Sequence, residues 1–381
     1  MDKYFIILLS SCLLIVSCAK KSIKEKEFND FNINVIDSFY VDSAPLHFQD
    51  VKNSQLLFYN LISNDIVCVD TKSKEYLQFN MFGEANNEYQ RLQDQSIKFV
   101  NDSVISVGKR SSINFYSLKG NFKNYYNVLN ENRIPISGSR VFGDTILIGQ
   151  IRANGNSSKR EFYNGKNILF KQIIKDDEEI LISDVQQETF AKFPEEGSDL
   201  SNGNYYYYSP HTFYSSYDQT KGTYSLINKV DQNVFTYDIL SGELLSKTYL
   251  ELENFNPVKL PFDKGFDQSK ALIYLFMDSG IYGYYNYDDT LYILYKQGRT
   301  EKEVIEFQKT HSGFPNDESP EFKYWLHISK NGNRVGNDRL LTNSIGPVLG
   351  VLPNKKLLLG KYATEEDQKL KGNYFYIAEF D

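Results

Sequence analysis

The chain has 381 residues, of which 41% are hydrophobic and 15% aromatic, and its formal net charge is −7. This acidic balance argues against a nucleic-acid partner, because binding to phosphate backbones requires an excess of basic side chains. The 29 tyrosines and 27 phenylalanines favour β-strands, in which such rings pack well. Length and composition therefore predict one large all-β domain or two ordinary ones.

The N-terminus has the pattern of an export signal followed by a lipid-attachment site. Lys3 supplies a positive charge, and the apolar run at 4–17 is shorter than the ~20 residues that a membrane-spanning helix needs. The apolar Ile15, three residues before Cys18, and the small Ser17, directly before it, form a pattern that resembles the lipobox of bacterial lipoproteins. The resemblance implies that residues 1–17 are removed and that Cys18 carries lipid. An ordinary cleaved signal with an incidental cysteine is the alternative.

A polar tether at residues 18–29 is predicted to precede a single domain at residues 30–381. The tether mixes lysines with glutamates and has no apolar periodicity, so we expect it to be solvated. In lipoproteins of Bacteroidota that reach the cell surface, acidic residues tend to follow the cysteine, whereas Ala19, Lys20 and Lys21 follow it here. The comparison predicts an outer-membrane protein that faces the periplasm. Its expected partners are the membrane, through the lipid, and an envelope protein or a small ligand.

Cys68 is the remaining cysteine of the mature chain. Cys12 lies in the signal and Cys18 is predicted to be lipidated, so an intramolecular disulfide cannot form. Ile66, Val67 and Val69 surround Cys68, which predicts a small buried side chain and not a nucleophile.

A hairpin pattern recurs along the chain. Each copy has an apolar run, a polar four-residue turn and a second run, which together predict two paired strands. The copies that begin at Ile66, Ile113, Val234 and Leu291 read IVCVD-TKSK-EYLQF, INFYS-LKGN-FKNYY, VFTYD-ILSG-ELLSK and LYILY-KQGR-TEKEV. A degenerate copy at 162–174 and a C-terminal copy from Lys355 raise the number to six.

The spacing of these copies fits a β-propeller. Six units after residue 28 give roughly 59 residues each, which accommodates a four-stranded blade of about 40 to 50 residues and its loops. The sequence therefore predicts an all-β, six-bladed propeller, with seven blades as the alternative. Phe31, Ile33 and Val35 alternate on one face, and we expect residues 30–41 to pair with the last blade and close the ring.

Other segments predict further strands, short helices and turns. The further strands are predicted at 54–60, 103–108 and 144–151. The short helices are predicted at 303–311 and 322–329. The turns and loops are predicted at 154–160, 176–179, 194–204, 288–289 and 313–321.

The segment from Phe82 to Val128 resembles one blade of the six-bladed, TolB-like propeller lipoproteins of Bacteroidota. Those proteins commonly carry a Gly-x-Gly-Pro-x-Glu-[Tyr/Phe] turn, to which Gly83, Glu88 and Tyr89 correspond, while Ala85-Asn86 replaces Gly-Pro. The resemblance implies a fold and an envelope location. It implies no catalytic residues, because most of that family has no assigned activity.

Motifs of common enzyme classes do not occur in the sequence, including those of serine hydrolases, zinc proteases and phosphate-binding loops. The acidic run at 176–179 lacks the alternating spacing of a calcium loop, so we expect a solvated turn and no cofactor. Calcium is the alternative, since calcium-dependent six-bladed lactonases gather acidic and Asn side chains from several blades. A calcium-assisted hydrolase or lactonase-like enzyme is therefore an alternative function.

Aromatic clusters supply the candidate ligand site. Four consecutive tyrosines could pack within the sheets or form an exposed platform for a sugar or peptide, and Tyr282–Tyr287 has the same two interpretations. The candidate ligand-binding residues are Tyr205, Tyr206, Tyr207, Tyr208, His211, Trp325 and His327. The main functional prediction is a lipid-anchored binding or scaffold module of the envelope, with a glycan-binding accessory lipoprotein as a further alternative.

Overall fold

Short strands joined by tight turns organise the whole described chain. The structure is a computed structural model, and it describes residues 33–43, 45–90, 92, 96–109, 112–127, 137–142, 146–150, 166–173, 187–193, 204–206, 212–218, 220–261, 270–310, 323–341, 346–361 and 372–380. All of these residues belong to one compact unit, Phe31–Asp381.

The strands form six antiparallel sheets, which we number as blades 1 to 6. The first strand of the chain is β1 (Ile33–Val41). Blade 1 follows, with strands β2 (Leu46–Lys52), β3 (Gln55–Asn60), β4 (Ile66–Asp70) and β5 (Tyr76–Phe79). Blade 2 has strands β6 (Ile97–Phe99), β7 (Val104–Gly108), β8 (Ser112–Ser117) and β9 (Phe122–Asn127). Blade 3 has strands β10 (Ser137–Phe142), β11 (Ile146–Gln150), β12 (Lys166–Ile173) and β13 (Gln187–Phe193).

The second half of the chain adds three blades, one small sheet and two helices. Strand β14 (Asn204–Tyr206) belongs to a separate two-stranded sheet. Blade 4 has strands β15 (Phe213–Asp218), β16 (Thr223–Asn228), β17 (Asn233–Asp238) and β18 (Leu244–Tyr249). The partner of β14 is β19 (Lys259–Pro261), which precedes helix α1 (Ala271–Met277). Blade 5 has strands β20 (Gly280–Tyr287), β21 (Thr290–Lys296), β22 (Tyr324–Lys330), β23 (Asn333–Arg334) and β24 (Arg339–Leu341), with helix α2 (Glu301–Thr310) between β21 and β22. Blade 6 has strands β25 (Val348–Leu352), β26 (Lys356–Gly360) and β27 (Asn373–Phe380).

The six blades form a closed ring. The strands β2, β6, β10, β15, β20 and β25 each begin a blade, and each contacts the next in this order. The ring closes because β25 also contacts β2. The chain is therefore a six-bladed β-propeller with these six strands innermost, as the repeat spacing predicts.

The N-terminal strand completes the last blade. β1 pairs antiparallel with β27 from Ile33 opposite Phe380 to Val41 opposite Asn373. Phe39 stacks on Phe375 with ring centroids 5.1 Å apart, so side-chain packing joins the two ends as well as hydrogen bonds. The predicted pairing of residues 30–41 with the C-terminal blade is confirmed for the residues that the structure describes.

Hydrophobic clusters lie between neighbouring blades. One cluster joins each pair around the ring, so both faces of every blade are covered. Phe58 of blade 1 and Phe375 of blade 6, for example, have ring centroids 4.9 Å apart. Each fully buried side chain of this size contributes about 1.5–3 kcal/mol to folding. Cys68 belongs to the cluster between blades 1 and 2 with 5% exposure, which confirms its predicted burial.

Most of the predicted hairpins are confirmed. The copies at Ile66, Ile113 and Val234 form β4–β5, β8–β9 and β17–β18, and the C-terminal copy forms β26–β27. Gly120 and Gly242 have φ angles of 82° and 77° in two of the turns, a conformation that glycine adopts without strain. The degenerate copy supplies β12, and its first residues lie outside the described ranges. The predicted strands at 54–60, 103–108 and 144–151 correspond to β3, β7 and β11.

The hairpin predicted from Leu291 is wrong in its second half. The segment TEKEV enters helix α2, and β21 pairs instead with β22. Thr300 and Glu303 form a reciprocal cap, with the Thr300 amide 2.7 Å from Glu303 Oε2 and the Glu303 amide 3.3 Å from Thr300 Oγ1. This cap satisfies amide donors at the first turn, which favours the helix that was separately predicted at 303–311. The helix predicted at 322–329 is also wrong, because residues 324–329 of that segment belong to β22, which pairs with β21.

The turn that carries the family resemblance packs against blades 1 and 2. The Gly83 amide donates to the Tyr89 carbonyl at 2.9 Å, and the Ala85 amide donates to Glu88 Oε2 at 2.9 Å. A Cβ at Gly83 would lie 1.9 Å from that Glu88 oxygen, so a larger residue there would displace the Glu88 carboxylate from the turn. Tyr89 is fully buried and donates through its hydroxyl to the Asn64 carbonyl of blade 1.

Of the predicted turns and loops, only one lies wholly in the described ranges. Asp288 and Asp289 join β20 to β21 with φ angles of 48° and 62°, which confirms the turn at 288–289. The loops predicted at 154–160 and 313–321, the turn at 176–179 and residues 194–203 lie outside those ranges.

Candidate functional site

A cavity of about 680 Å³ lies where the innermost strands meet. Its lining comes from all six of those strands, and includes Asp50 of β2, Lys98 of β6, Arg140 of β10 and Tyr217 of β15. Ligand pockets in proteins commonly have volumes of about 300–1,000 Å³. The ring of blades thus creates a central cavity large enough for a small organic molecule.

Bulges place extra side chains on the lining of this central cavity. The register of β2 shifts between Phe48 and Asp50, so Gln49 is an additional residue there. Corresponding shifts make Tyr282 additional in β20 and Leu349 additional in β25. Gln49, Tyr282 and Leu349 all line the central cavity. A β-bulge re-aims a side chain locally, and such bulges are enriched next to functional sites.

Three charged side chains from three successive blades meet at the cavity wall. Arg140 donates to both carboxylate oxygens of Asp50, at 2.9 and 3.0 Å. Lys98 Nζ lies 3.7 Å from the same carboxylate and donates to the backbone carbonyl of Gln49 at 3.2 Å. The Phe99 amide also donates to Asp50, at 2.9 Å. We call Asp50, Lys98 and Arg140 the charged triad.

The charged triad carries two cations for one carboxylate. Burial opposes ionisation of Asp50, but the charges of Arg140 and Lys98 outweigh it and hold the pKa of Asp50 below its ordinary value. Burial lowers the pKa of Lys98 to about 8, although Asp50 acts in the opposite direction. With all three groups ionised, this part of the cavity has one excess positive charge in a protein whose formal net charge is −7.

Two polar atoms at the cavity have no hydrogen-bond partner in the structure. One is Oε1 of Gln49, a residue with 4% exposure, and the other is the hydroxyl of Tyr217, which is itself buried. Burying a polar group without a partner costs about 1–3 kcal/mol. Both residues line the cavity, so a bound molecule could supply the acceptor for Tyr217 and the donor for Gln49.

Tyrosines of blade 5 form an aromatic part of the wall. The rings of Tyr285 and Tyr287 lie nearly parallel, with centroids 6.4 Å apart. The Tyr287 hydroxyl donates to the Val351 carbonyl of blade 6 at 2.9 Å, which fixes that ring. Burial raises the pKa of both phenols, so they remain neutral hydrogen-bonding groups. Part of the predicted Tyr282–Tyr287 cluster therefore lies at the cavity.

The predicted residues Trp325 and His327 lie in the interior of blade 5. Trp325 has 2% exposure and donates to Gln297 Oε1 at 3.0 Å. His327 has 1% exposure, and its Nδ1 lies 2.8 Å from Asp338. The Tyr295 hydroxyl donates to Asp338 at 2.5 Å, and Arg334 also contacts that carboxylate. These positions agree with the packing interpretation of the two residues.

The other predicted ligand-binding residues are only partly described. Tyr205 and Tyr206 belong to β14, which pairs with β19. Tyr207, Tyr208 and His211 lie outside the described ranges. The ligand-binding interpretation of the four consecutive tyrosines stays a prediction.

Neither a metal cluster nor a membrane span is found among the described residues. No group of three or more His, Cys, Asp or Glu side chains there has an arrangement that could hold a metal ion. No described helix is both long and apolar enough to cross a membrane.

The charged triad was not predicted from the sequence. Its members lie on three strands that the fold brings together, so no linear spacing marks them. Lys98 stands between two apolar residues in the strand Ile97–Phe99. Such alternation ordinarily indicates a polar side chain on the solvent face of a strand, so no signal in the sequence marks Lys98 as buried.

The comparisons with known proteins show the fold. No family model matches the chain, and neither does any curated protein. A structure of a DUF4221-family protein from Bacteroides vulgatus is 10% identical, covers 93% of this chain and 99% of its own, and superposes with a TM-score of 0.59. A Bacteroides fragilis protein predicted to be exported is 11% identical over 92% of this chain and 95% of its own, with a TM-score of 0.48. The chain is a six-bladed β-propeller and shares its fold with the DUF4221 structure.

Proposed function

We propose that this propeller is a lipid-anchored binding module of the cell envelope that holds a small ligand in its central cavity. The observation that carries the proposal is the cavity lining, where bulged strands and the charged triad leave buried polar atoms of Gln49 and Tyr217 without partners. Rigid blades are well suited to binding, because they position side chains without loop closure. The lipid anchor is supported by the lipobox pattern that ends at Cys18.

Ligand capture would test the binding function directly. The full-length protein would be purified in mild detergent, exposed to a small-molecule extract of the envelope, and analysed by native mass spectrometry. Ser216 lines the cavity from β15, so Ser216→Trp should fill it and abolish capture. Ser246 is exposed on β18 of the same blade, so Ser246→Trp is the matched control and should retain capture.

The outcomes separate the binding module from the scaffold alternative. A defined mass increase in the wild type and in Ser246→Trp, but not in Ser216→Trp, supports cavity binding. If no small molecule is retained and a single envelope protein is instead recovered near one-to-one, the small-ligand proposal is wrong and the module is a protein scaffold.

Lipid attachment has its own test. Metabolic labelling with an alkyne fatty acid should label the wild type and Cys12→Ser, and Cys18→Ser should lose the label. Protease added to intact cells should leave the protein uncut until the outer membrane is permeabilised, since we propose that it faces the periplasm. Labelling that survives in Cys18→Ser, or cleavage on intact cells, would contradict the respective part of the proposal.

A further inference from the structure

We infer that the central cavity recognises its ligand through a carboxylate, which binds at Lys98 and Tyr217 while Gln49 accepts a hydrogen bond from a donor on the same molecule. The inference rests on the proposed binding function and names the chemical class of the ligand. It is carried by the charge balance of the cavity, by the donor capacity of Lys98 and Tyr217 in its lining, and by the unpartnered acceptor of Gln49 in the same lining.

The charge balance of the cavity is opposite to that of the protein. Among the described residues that line it, Asp50 is the one carboxylate, whereas Lys98, Arg140 and Lys361 are basic. Asp50 already accepts two bonds from Arg140 and one from the Phe99 amide. Lys98 lies 3.7 Å from the same carboxylate, so Arg140 and Lys98 share one negative charge and one positive charge of the charged triad remains unneutralised.

Lys98 and Tyr217 have donor capacity for an anion. The Lys98 ammonium has three N–H donors, of which one reaches the Gln49 carbonyl at 3.2 Å. The Tyr217 hydroxyl has no partner. Lys98, Arg140 and Tyr217 all belong to the lining of the central cavity. An anion placed there would receive charge-assisted hydrogen bonds from a buried lysine and a neutral phenol.

A carboxylate matches this site better than a phosphate does. The charged triad has one excess positive charge, which a monoanion neutralises, whereas a phosphate would add a second negative charge beside Asp50. The acceptor Oε1 of Gln49 has no donor, so the ligand should also carry a hydroxyl or amide group. The expected ligand is a small hydroxylated or amidated monocarboxylate.

Matched pairs of probes can test this recognition. Binding of acetate, benzoate and D-glucuronate to the full-length protein would be compared with that of acetamide, benzamide and D-glucose by calorimetry and ligand-observed NMR. We expect at least one carboxylate to bind about tenfold more tightly than its neutral partner. Lys98→Met should remove this preference and Tyr217→Phe should weaken it about fivefold. Lys302→Met, which removes an exposed lysine of helix α2 outside the cavity, is the control and should leave it intact.

Several results would overturn the inference. These are no carboxylate preference in any pair, a preference that persists in Lys98→Met, a preference lost equally in the control Lys302→Met, and stronger binding of inorganic phosphate than of acetate. Thermal unfolding of each variant shows whether a loss of carboxylate preference reflects misfolding. If Lys98→Met is unfolded, the weakened preference expected for Tyr217→Phe still tests the inference. Capture of a neutral ligand that Ser216→Trp abolishes would leave the proposed binding function standing while the carboxylate inference fails.

Discussion

Arg140 and Asp50 lie 90 positions apart in sequence and form a two-point ion pair with N···O distances of 2.9 and 3.0 Å. The pair joins blade 1 to blade 3, and Arg140 also donates to the Phe99 carbonyl of the blade between them at 3.3 Å. A single guanidinium therefore links three of the six blades at the cavity wall.

Arg140→Met should destabilise the protein by about 3 kcal/mol. The substitution keeps an apolar side chain of similar length but removes two bonds from a buried carboxylate, and Lys98 remains as its one cation. Chemical denaturation would measure the loss. The double variant Asp50→Asn/Arg140→Met should cost less than the sum of the two single variants. Lys52→Met, which removes an exposed pair with Asp102, is the control and should change the free energy of unfolding by about 1 kcal/mol or less. Additive effects of Asp50 and Arg140 would contradict their coupling.

Lys98 should make the stability of the protein rise with pH above about 8. Its pKa is about 8 in the folded protein, whereas the ordinary value for a lysine is 10.5, so between these pH values the unfolded chain binds more protons. Stability then increases with pH, and the total gain relative to Lys98→Met is up to about 3 kcal/mol. Asp50 and Arg140, the charged groups that face Lys98, do not titrate in this range. Denaturation curves at pH 7, 8, 9 and 10 would measure the difference in free energy of unfolding between the wild type and Lys98→Met. A difference that does not change with pH would refute the lowered pKa of Lys98.

Phe39→Ala should weaken closure of the ring. Phe39 is 5% exposed and stacks on Phe375 in the cluster between blades 6 and 1, so its truncation should cost about 3 kcal/mol. Hydrogen exchange should then accelerate in β1 and β27 more than in blades 2 to 4. Ile36, at the bulge of the same strand, is 47% exposed, and Ile36→Ala should change stability by about 0.5 kcal/mol or less. Equal effects of the two substitutions would show that β1 does not hold the ring closed.

Asp338→Asn should destabilise blade 5 by about 3 kcal/mol at neutral pH. The carboxylate accepts from Tyr295, Arg334 and the Glu253 amide and contacts His327, and an amide cannot satisfy all of these partners. Burial favours the neutral acid, but bonds from His327 and Tyr295 hold the pKa of Asp338 below 3.8. The stabilisation is therefore present above about pH 4 and should be lost as the pH falls below it. Asp288 is an exposed turn position, so Asp288→Asn is the control. Denaturation should show almost no change in its free energy of unfolding, either at neutral pH or below about pH 4.

Calcium should leave the thermal stability of the wild type unchanged. Calcium prefers six to eight oxygen ligands, and the one carboxylate among the described cavity residues is engaged with Arg140. Differential scanning fluorimetry with calcium and with a chelator would compare the two conditions. A clear rise in Tm with calcium would favour the hydrolase or lactonase-like alternative, because a ligand that binds only the folded state stabilises it.

The blades were predictable because their signals are local. A short apolar run, a turn and a second run mark a hairpin whatever the rest of the chain does. The error after Leu291 shows the limit, since Thr300 and Glu303 already carry a capping-box pattern, T-x-x-E, that competes with the second strand. The error at β22 has another cause. Both faces of that strand are buried, so its sequence lacks the alternation that separates a strand from a helix.

The cavity could not be predicted from the sequence in the same way. Asp50, Lys98 and Arg140 contact one another only because successive innermost strands meet, and the bulge at Gln49 shifts the register by one residue. The aromatic clusters pointed to candidate rings, and of these Tyr282, Tyr284, Tyr285 and Tyr287 line the cavity. Trp325 and His327 are buried on a strand further from the axis, a position that composition cannot distinguish from the lining.

The bulges on the innermost strands have a consequence for how such a protein can diversify. In blades 1, 3, 5 and 6 the innermost strand contains a register shift, whereas the pairing of the next two strands has none. An inserted residue therefore changes which side chain faces the axis without disturbing the packing between blades. Ligand preference can therefore change through bulges on the innermost strands while the pairing of the next two strands stays the same. A lineage of such propellers can exchange one ligand for another while the architecture around the cavity stays the same.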